Sequence, residues 1–468
     1  MIVTGSSTES AAAPVEVPRN WRNLLADYPH FNHNKLPEAV ARRFSNHLAH
    51  LPKMPLAIAR QSYDTTNRYV PVPDEVLEIY RQYRPTPLRR ARAFEKALGT
   101  EARIYYKFEG VNISGSHKLN TAIAQAYYYK KAGVQHVVTG TGAGQWGSAI
   151  AFACARFGLE CTVFMPRVSL LQKPMRRTMM ELFGAQLHES PSEVTELGRR
   201  TRSAAPEKLG SLAIATGEAL ELAGTRERTL FAVGSGENHV LLHQTVIGEE
   251  ALQQMRQIGD YPDTIFACMG AGSNFAGIAF PFLGDGAKRH QPRLVAVEPE
   301  GCPKLTRGRL AYTETDFSGT TPIARMMTLG SLFEAPGIHA GGLRYHGTSP
   351  LLSEMFMNGL FEAVACPQRK VFHYASVFAL CEGVLSAPES AHAICAAAEE
   401  VSRDTARRQV ILINISGMGY HDLSGYHDLL TGALDDGKAS DEVIERSLAA
   451  LVREQECYTP AIEEAVEP

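Results

Sequence analysis

From Arg103 onward the chain alternates short β-branched or aromatic runs with longer stretches of helical character, and this rhythm restricts the fold more than any other feature. The runs occupy residues 103–108, 135–139, 160–165, 264–269, 293–297 and 410–415. A strand that returns after each helix reads as a βαβ unit, and a series of such units builds a mostly parallel sheet. At about 150 residues per domain, the 468 residues can hold two such sheets. The rhythm breaks near residues 234–239, which puts the junction of two α/β lobes close to residue 240. The expected organisation is an N-terminal extension and wrapping segment over 1–83, an N-terminal lobe over 84–240, a C-terminal lobe over 241–438 and a helical tail over 439–468. Residues 19–100, rich in Pro, Asn, His and Arg, show no strand rhythm, and residues 1–18 read as a disordered lead-in without a signal peptide. Ser440, followed by Asp441 and Glu442, caps the predicted terminal helix. There is no internal repeat.

Charge narrows the function classes. Lys and Arg total 47 against 50 Asp and Glu, a net charge of −3, so no excess of cations is available for nucleic acid or an anionic membrane. Residues 264–284 carry no charge and are long enough to cross a bilayer. Gly270, Gly272, Ser273, Asn274, Gly277 and Pro281 fit a buried strand, a glycine loop and a short helix instead. The eight cysteines are scattered with no C-x-x-C pair, which implies reduced thiols and a cytoplasmic setting. His30-x-x-His33 and His47-x-x-His50 could offer imidazoles to a metal, but no cysteine or supporting partner accompanies them, and no metal is expected. A small-molecule enzyme is the reading that remains.

The chemistry-bearing residues fall on successive strand-to-helix turns. Gly115-Ser116-His117-Lys118-Leu119-Asn120 follows the run ending at Phe108 and opens a helix, placing a lysine at the edge where open α/β sheets form their crevice. Gly270-Ala271-Gly272-Ser273-Asn274-Phe275-Ala276-Gly277 follows another run; its backbone N–H groups and the next helix's dipole can hold a phosphate. A dinucleotide fingerprint would need glycine at 275, where Phe stands, so a monophosphate is favoured. Thr141-Gly142-Ala143-Gly144-Gln145-Trp146-Gly147 is a third such turn, suited to a substrate carboxylate, and Asn414-Ile415-Ser416-Gly417 ends the last run with a hydroxyl. An amine, a phosphate cradle, a carboxylate nest and a crevice serine together are what pyridoxal 5'-phosphate chemistry requires.

On these residues the chain resembles the tryptophan synthase β-chain family, in particular its second, longer subgroup. The match runs nearly collinearly from about Pro18 to Leu434. It is carried further by Arg84-Pro85-Thr86-Pro87-Leu88, residues 238–248 (NHVLLHQTVIG), 339–347 (HAGGLRYHG) and 388–393 (PESAHA). The resemblance implies a two-lobed fold-type-II α/β enzyme around pyridoxal 5'-phosphate, usually a homodimer. It leaves open a monovalent cation and an α-subunit-type partner. By the same resemblance Lys118 would bond the coenzyme and move the α-proton, with His117 beside the phosphate. Gly270, Ala271, Gly272, Ser273 and Asn274 would hold that phosphate, and Ser235 would also contact the cofactor. Thr141, Gly142, Ala143, Gly144 and Gln145 would bind the substrate carboxylate, Gln145 also reaching the coenzyme, while Ser416 would meet the pyridine nitrogen and Glu389 would lie near the ring.

A hydroxyl at 416 cannot protonate the pyridine nitrogen as a carboxylate would, which weakens the electron sink and favours loss of a β-substituent followed by attack of a nucleophile. The implied reaction is β-replacement on a serine-type amino acid with indole or a related nucleophile. One position departs from the family: the glutamate that stands directly before Thr141, its acid–base group, is Gly140 here. Loss of such a group typically costs about 10²–10⁴-fold in rate. Three readings meet that gap. They are an activated donor such as O-phosphoserine, held by Arg176, Arg177 or Arg344; a substitute acid, for which Glu237 is the candidate; or a weak or regulatory homologue. A β-elimination or β-replacement lyase of specialised metabolism is the enzymatic alternative.

Overall fold

The computed structural model describes residues 15–31, 54–207, 210–286, 290–315 and 323–463. His33, His47 and His50, and residues 1–14 of the lead-in, lie outside them. In chain order the strands are β1 (Asn20–Arg22), β2 (Tyr69–Pro71), β3 (Leu88–Arg90), β4 (Arg103–Phe108), β5 (His136–Gly140), β6 (Glu160–Pro166) and β7 (Gln186–Ser190). They continue with β8 (Thr229–Phe231), β9 (Thr264–Cys268), β10 (Arg293–Pro299), β11 (Arg309–Glu314), β12 (Ile323–Thr328), β13 (Glu362–Cys366) and β14 (Val410–Ile415).

Two parallel sheets dominate. The larger has six strands in the order β13-β10-β9-β14-β4-β3, the smaller four in the order β7-β6-β5-β8. All pairings within them are parallel except β3 with β4. β5, β9 and β14 are buried at every residue, as expected of strands covered by helices on both faces. The side-chain alternation of β14 sorts its residues between two cores. Val410 and Leu412 join the one that contains the Ser273–Leu283 helix, and Ile411, Ile413 and Ile415 join the one beneath the Pro388–Arg403 helix.

The expected division at residue 240 is corrected. β4 pairs with β14 along its whole length, from Arg103 opposite Val410 to Phe108 opposite Ile415, so residues 84–108 belong to the larger lobe. The smaller lobe is an insertion whose strands span residues 136–231, between β4 and β9. A linear reading divides the chain where its rhythm breaks, whereas hydrogen bonding divides it by sheet.

Residues 19–100 also carry more regular structure than expected: β1 to β3 and the helices Leu56–Tyr63, Asp74–Tyr80 and Arg92–Leu98. The Arg22 N–H donates to Thr245 Oγ1 at 2.8 Å, and fully buried Trp21 packs its ring 4.5 Å from that of His243. The terminal helix forms over Asp441–Glu463, and Ser440 Oγ accepts from the Val443 N–H at 3.3 Å. Residues 264–284 become β9, the glycine loop and the Ser273–Leu283 helix. Among the described residues no helix is long and apolar enough to cross a membrane.

Candidate active site

Four strand-to-helix turns, at the carboxyl ends of β4, β5, β9 and β14, converge on one cavity of about 480 Å³. This is where ligands bind in open α/β sheets. After β4, the chain runs through Gly115 and Ser116 into the Lys118–Lys131 helix, with Lys118 at its first turn. Its Nζ donates to the Gly234 carbonyl at 3.0 Å. Burial lowers the amine to about 8, only partly offset by the Glu389 carboxylate, so its neutral, nucleophilic form is reached at lower pH than in an ordinary lysine. The neighbouring His117 ring places Nε2 3.1 Å from Ser273 Oγ and Nδ1 3.3 Å from the Ser416 carbonyl. Burial depresses it to about 3, reinforced by Lys118, which keeps the imidazole neutral.

After β9, Gly270, Ala271, Gly272, Ser273 and Asn274 border the cavity. Gly272 adopts φ 119°, and a Cβ there would collide with Leu352 Cδ1, so only glycine lets the backbone pass. Ser273 begins the helix, whose first-turn N–H groups have no helical acceptor. Ser235 Oγ donates to Ser273 Oγ at 3.3 Å from across the cavity. Asn274 is fixed from behind: its Nδ2 donates to the Cys268 carbonyl at 3.1 Å and its Oδ1 accepts from Asn414 Nδ2 at 2.7 Å.

After β5, Thr141, Gly142, Ala143 and Gln145 border the cavity. The Thr141 hydroxyl accepts from the Gly147 N–H at 3.1 Å and its own N–H donates to the Phe164 carbonyl at 2.9 Å; it shapes the turn. Gly144, expected in this turn's carboxylate nest, does not border the cavity. It turns the chain at φ 89° with its α-carbon against the Arg176 stem. The N–H groups of Gly142 and Ala143 have no acceptor among the described residues.

After β14, Ser416 lies 2.7 Å from Ser390 Oγ and 3.6 Å from Cys268 Sγ. Burial raises that thiol to about 12, so Ser416 sits among neutral partners. Ser390 and Cys268 were not singled out by the sequence, because a serine inside a helix and a cysteine inside a strand carry no distinguishing spacing. Glu389 accepts at Oε1 from Gln145 Nε2 at 3.0 Å and from the Gly342 N–H at 2.8 Å. Burial would raise it, but the Lys173 charge and these donors outweigh that and hold it below the usual carboxylate range.

Of the groups proposed to meet the gap at 140, Glu237 borders the cavity, whereas Arg176, Arg177 and Arg344 do not. Arg176 is buried beside Gly144, Arg177 pairs with Glu181 at 3.4 Å on the surface, and Arg344 Nη2 donates to Ser169 Oγ at 3.3 Å. At Gly140 a Cβ would lie 2.8 Å from the Thr216 N and 2.9 Å from the Ala215 carbonyl carbon, both backbone atoms of the Leu212–Thr225 helix. Gly140→Glu is therefore expected to lose about 1–3 kcal/mol of stability by overpacking and to gain no activity. A denaturant midpoint and a turnover assay on the same preparation check both expectations.

The residues fit pyridoxal 5'-phosphate. A low-pKa amine faces a glycine loop with free N–H groups, and neutral hydroxyls line the far wall. Four buried oxygens of residues bordering the cavity, Ser116 Oγ, Thr348 Oγ1, Ser349 Oγ and Glu389 Oε2, have no partner among the described residues, and such polar atoms are available to a ligand. Among the described residues no group of three or more His, Cys, Asp or Glu side chains is placed to hold a metal ion.

Comparison with known proteins agrees with this geometry. The family model described as "Pyridoxal-phosphate dependent enzyme" matches residues 79–417. The "Tryptophan synthase beta chain 2" of Aeropyrum pernix is 48% identical over 436 residues, covering 90% of this chain and 95% of that protein. The protein of the same name from Thermotoga maritima is 48% identical over 415 residues, covering 88% and 98%. A solved fungal L-serine ammonia-lyase from Rhizomucor miehei superposes with a TM-score of 0.55 at 16% identity, over 75% of this chain and 98% of that one, a likeness of fold alone. With its lysine, glycine loop and crevice serine on one cavity, and with identity of this extent, the chain belongs to the pyridoxal-phosphate-dependent enzymes and, within them, to the tryptophan synthase β-chain family.

Proposed function

We propose that the protein replaces the β-hydroxyl of L-serine with indole or a closely related carbon nucleophile, using pyridoxal 5'-phosphate held in this cavity. The observation that carries the reading is Lys118 Nζ, a lowered-pKa amine 3.0 Å from the Gly234 carbonyl in a cavity that also holds the phosphate loop. Bound coenzyme supplies a sink for the electron pair left on the α-carbon. Gly272, Ser273 and Asn274 would hold its phosphate together with Ser235 and His117, and the Ser416 hydroxyl would donate to the pyridine nitrogen without charging it. The Gly142 and Ala143 N–H groups would orient the substrate carboxylate while Lys118 moves the α-proton.

Serine is favoured over an O-phosphorylated donor because none of Arg176, Arg177 and Arg344 borders the cavity. A second phosphate would gain most from such a charged partner. Homodimerisation, a cytoplasmic setting, an α-subunit-type partner and a monovalent cation are carried as parts of this proposal. The test is tryptophan formation by holoenzyme from L-serine and indole, compared with O-phosphoserine, threonine and cysteine. Serine is expected to lead; a holoenzyme whose coenzyme spectrum responds to none of the four would overturn the reading.

A further inference from the structure

Hydroxide leaves a β-carbon only when its oxygen is protonated, and position 140 holds no side chain to do this. We infer that Glu237 is the acid–base group of this site, an assignment that rests on the β-replacement proposed above. Among the described residues, Glu237 and Glu389 are the carboxylates that border the cavity. Glu389 is engaged by Gln145 and Gly342. Glu237 lies on the loop whose Gly234 carbonyl receives Lys118 Nζ and whose Ser235 reaches Ser273. The reactive amine, the phosphate loop and this carboxyl are thus tied together within four consecutive residues.

Gly140 has the complementary role. Because it lacks a Cβ, the Leu212–Thr225 helix closes against β5, and Leu212, Ala213 and Thr216 become part of the cavity wall. The space a side chain at 140 would need is filled by backbone, and the free carboxyl borders the same cavity from the loop after β8. Glu237 is exposed at the cavity wall, and the protein packed around its carboxyl raises it above the ordinary range, which favours the protonated form that can donate. The titratable groups around it are Tyr63 of the Leu56–Tyr63 helix, itself raised by burial and by Glu237, and Lys118 and His117 along the same cavity.

The proton accounting closes. Lys118 takes the α-proton. The Cβ–O bond breaks with its electron pair on oxygen, Glu237 gives that oxygen a proton, and water leaves. As the nucleophile's carbon bonds Cβ, the proton it sheds passes to the Glu237 carboxylate and restores the acid, and Lys118 returns its proton to the α-carbon.

The experiment compares parent, Glu237→Gln and Glu237→Asp holoenzymes on L-serine and on β-chloro-L-alanine, whose chloride departs unprotonated. Glu237→Gln is expected to lower the serine-to-chloroalanine rate ratio by about 10²–10³-fold, and Glu237→Asp to recover part of it. A second readout is the melting temperature against pH. A carboxyl raised on folding costs stability as pH climbs from its unfolded value through its folded one, so the parent is expected to lose more than Glu237→Gln does. Equal loss on both donors, or an unchanged ratio, overturns the assignment, as do identical melting profiles. A parent inert toward both donors instead fails the β-replacement reading, and the assignment falls with it.

Discussion

Lys118→Ala is expected to reduce turnover by at least about 10³-fold, because it removes both the amine that bonds the coenzyme and the base that moves the α-proton. Borohydride treatment of the parent should leave a pyridoxyl group on the peptide containing residue 118, and the variant should show none. The lowered amine gives the step a pH signature. Coenzyme loading into the apoprotein needs neutral Lys118, so its rate should rise with pH and level off above about 8, where the amine is deprotonated. An ordinary lysine would still be climbing at pH 9. A parent without the adduct would remove the foundation of the proposed function.

The second large effect concerns stability. Arg84, Lys107, Glu109 and Glu250 form a cluster of two cations and two carboxylates whose side chains are all fully buried. Arg84 Nε reaches Glu250 at 2.7 Å and Nη1 reaches Glu109 at 2.9 Å, while Lys107 Nζ reaches Glu250 at 2.8 Å. Arg84 Nη1 also donates to Asn120 Oδ1 at 2.9 Å, which braces the Lys118 helix from below. Glu250→Ala would leave two buried cations facing one carboxylate, and breaking such a set costs about 3–5 kcal/mol. A shift of the denaturant midpoint measures it. Acid attacks the same cluster. Burial would raise Glu109, yet Arg84, Lys107 and Thr86 pull it down to about 2. Its contribution to stability is therefore complete above the unfolded value near 4.5 and is lost as pH falls toward 2.

The strands legible in the sequence are those inside the sheets. β4 and β14 match their apolar runs end to end, and β5, β6, β9 and β10 match within two residues. Within the two large sheets, the strands it did not reveal, β3, β7, β8 and β13, are the edges. β7 (QLHES) and β13 (EAVAC) are only partly buried, and a half-covered edge has no need of a continuous apolar run. Lobe membership was illegible for a related reason: β4 pairs with β14 through contacts just over three hundred residues apart in the chain, and no local pattern records them.

The site was more legible than the architecture, because a glycine turn that opens a helix announces itself in a few residues. Gly144 shows the limit of such signals. Glycine at a turn is equally required for binding a ligand and for passing a bulky neighbour, and here the neighbour is Arg176. The Leu212–Thr225 helix, whose backbone fills the space at 140, carried no motif at all; its effect arises from where it packs.

β14 lies between β9 and β4, with both flanking strands made earlier in the chain. During synthesis the ribosome therefore exposes two unpaired sheet edges until residue 415 emerges, long after the smaller lobe can close. Such edges invite wrong partners, and pairing across this separation slows folding. Any coenzyme captured by the nascent chain must await this late-arriving strand, which brings Ser416 with it.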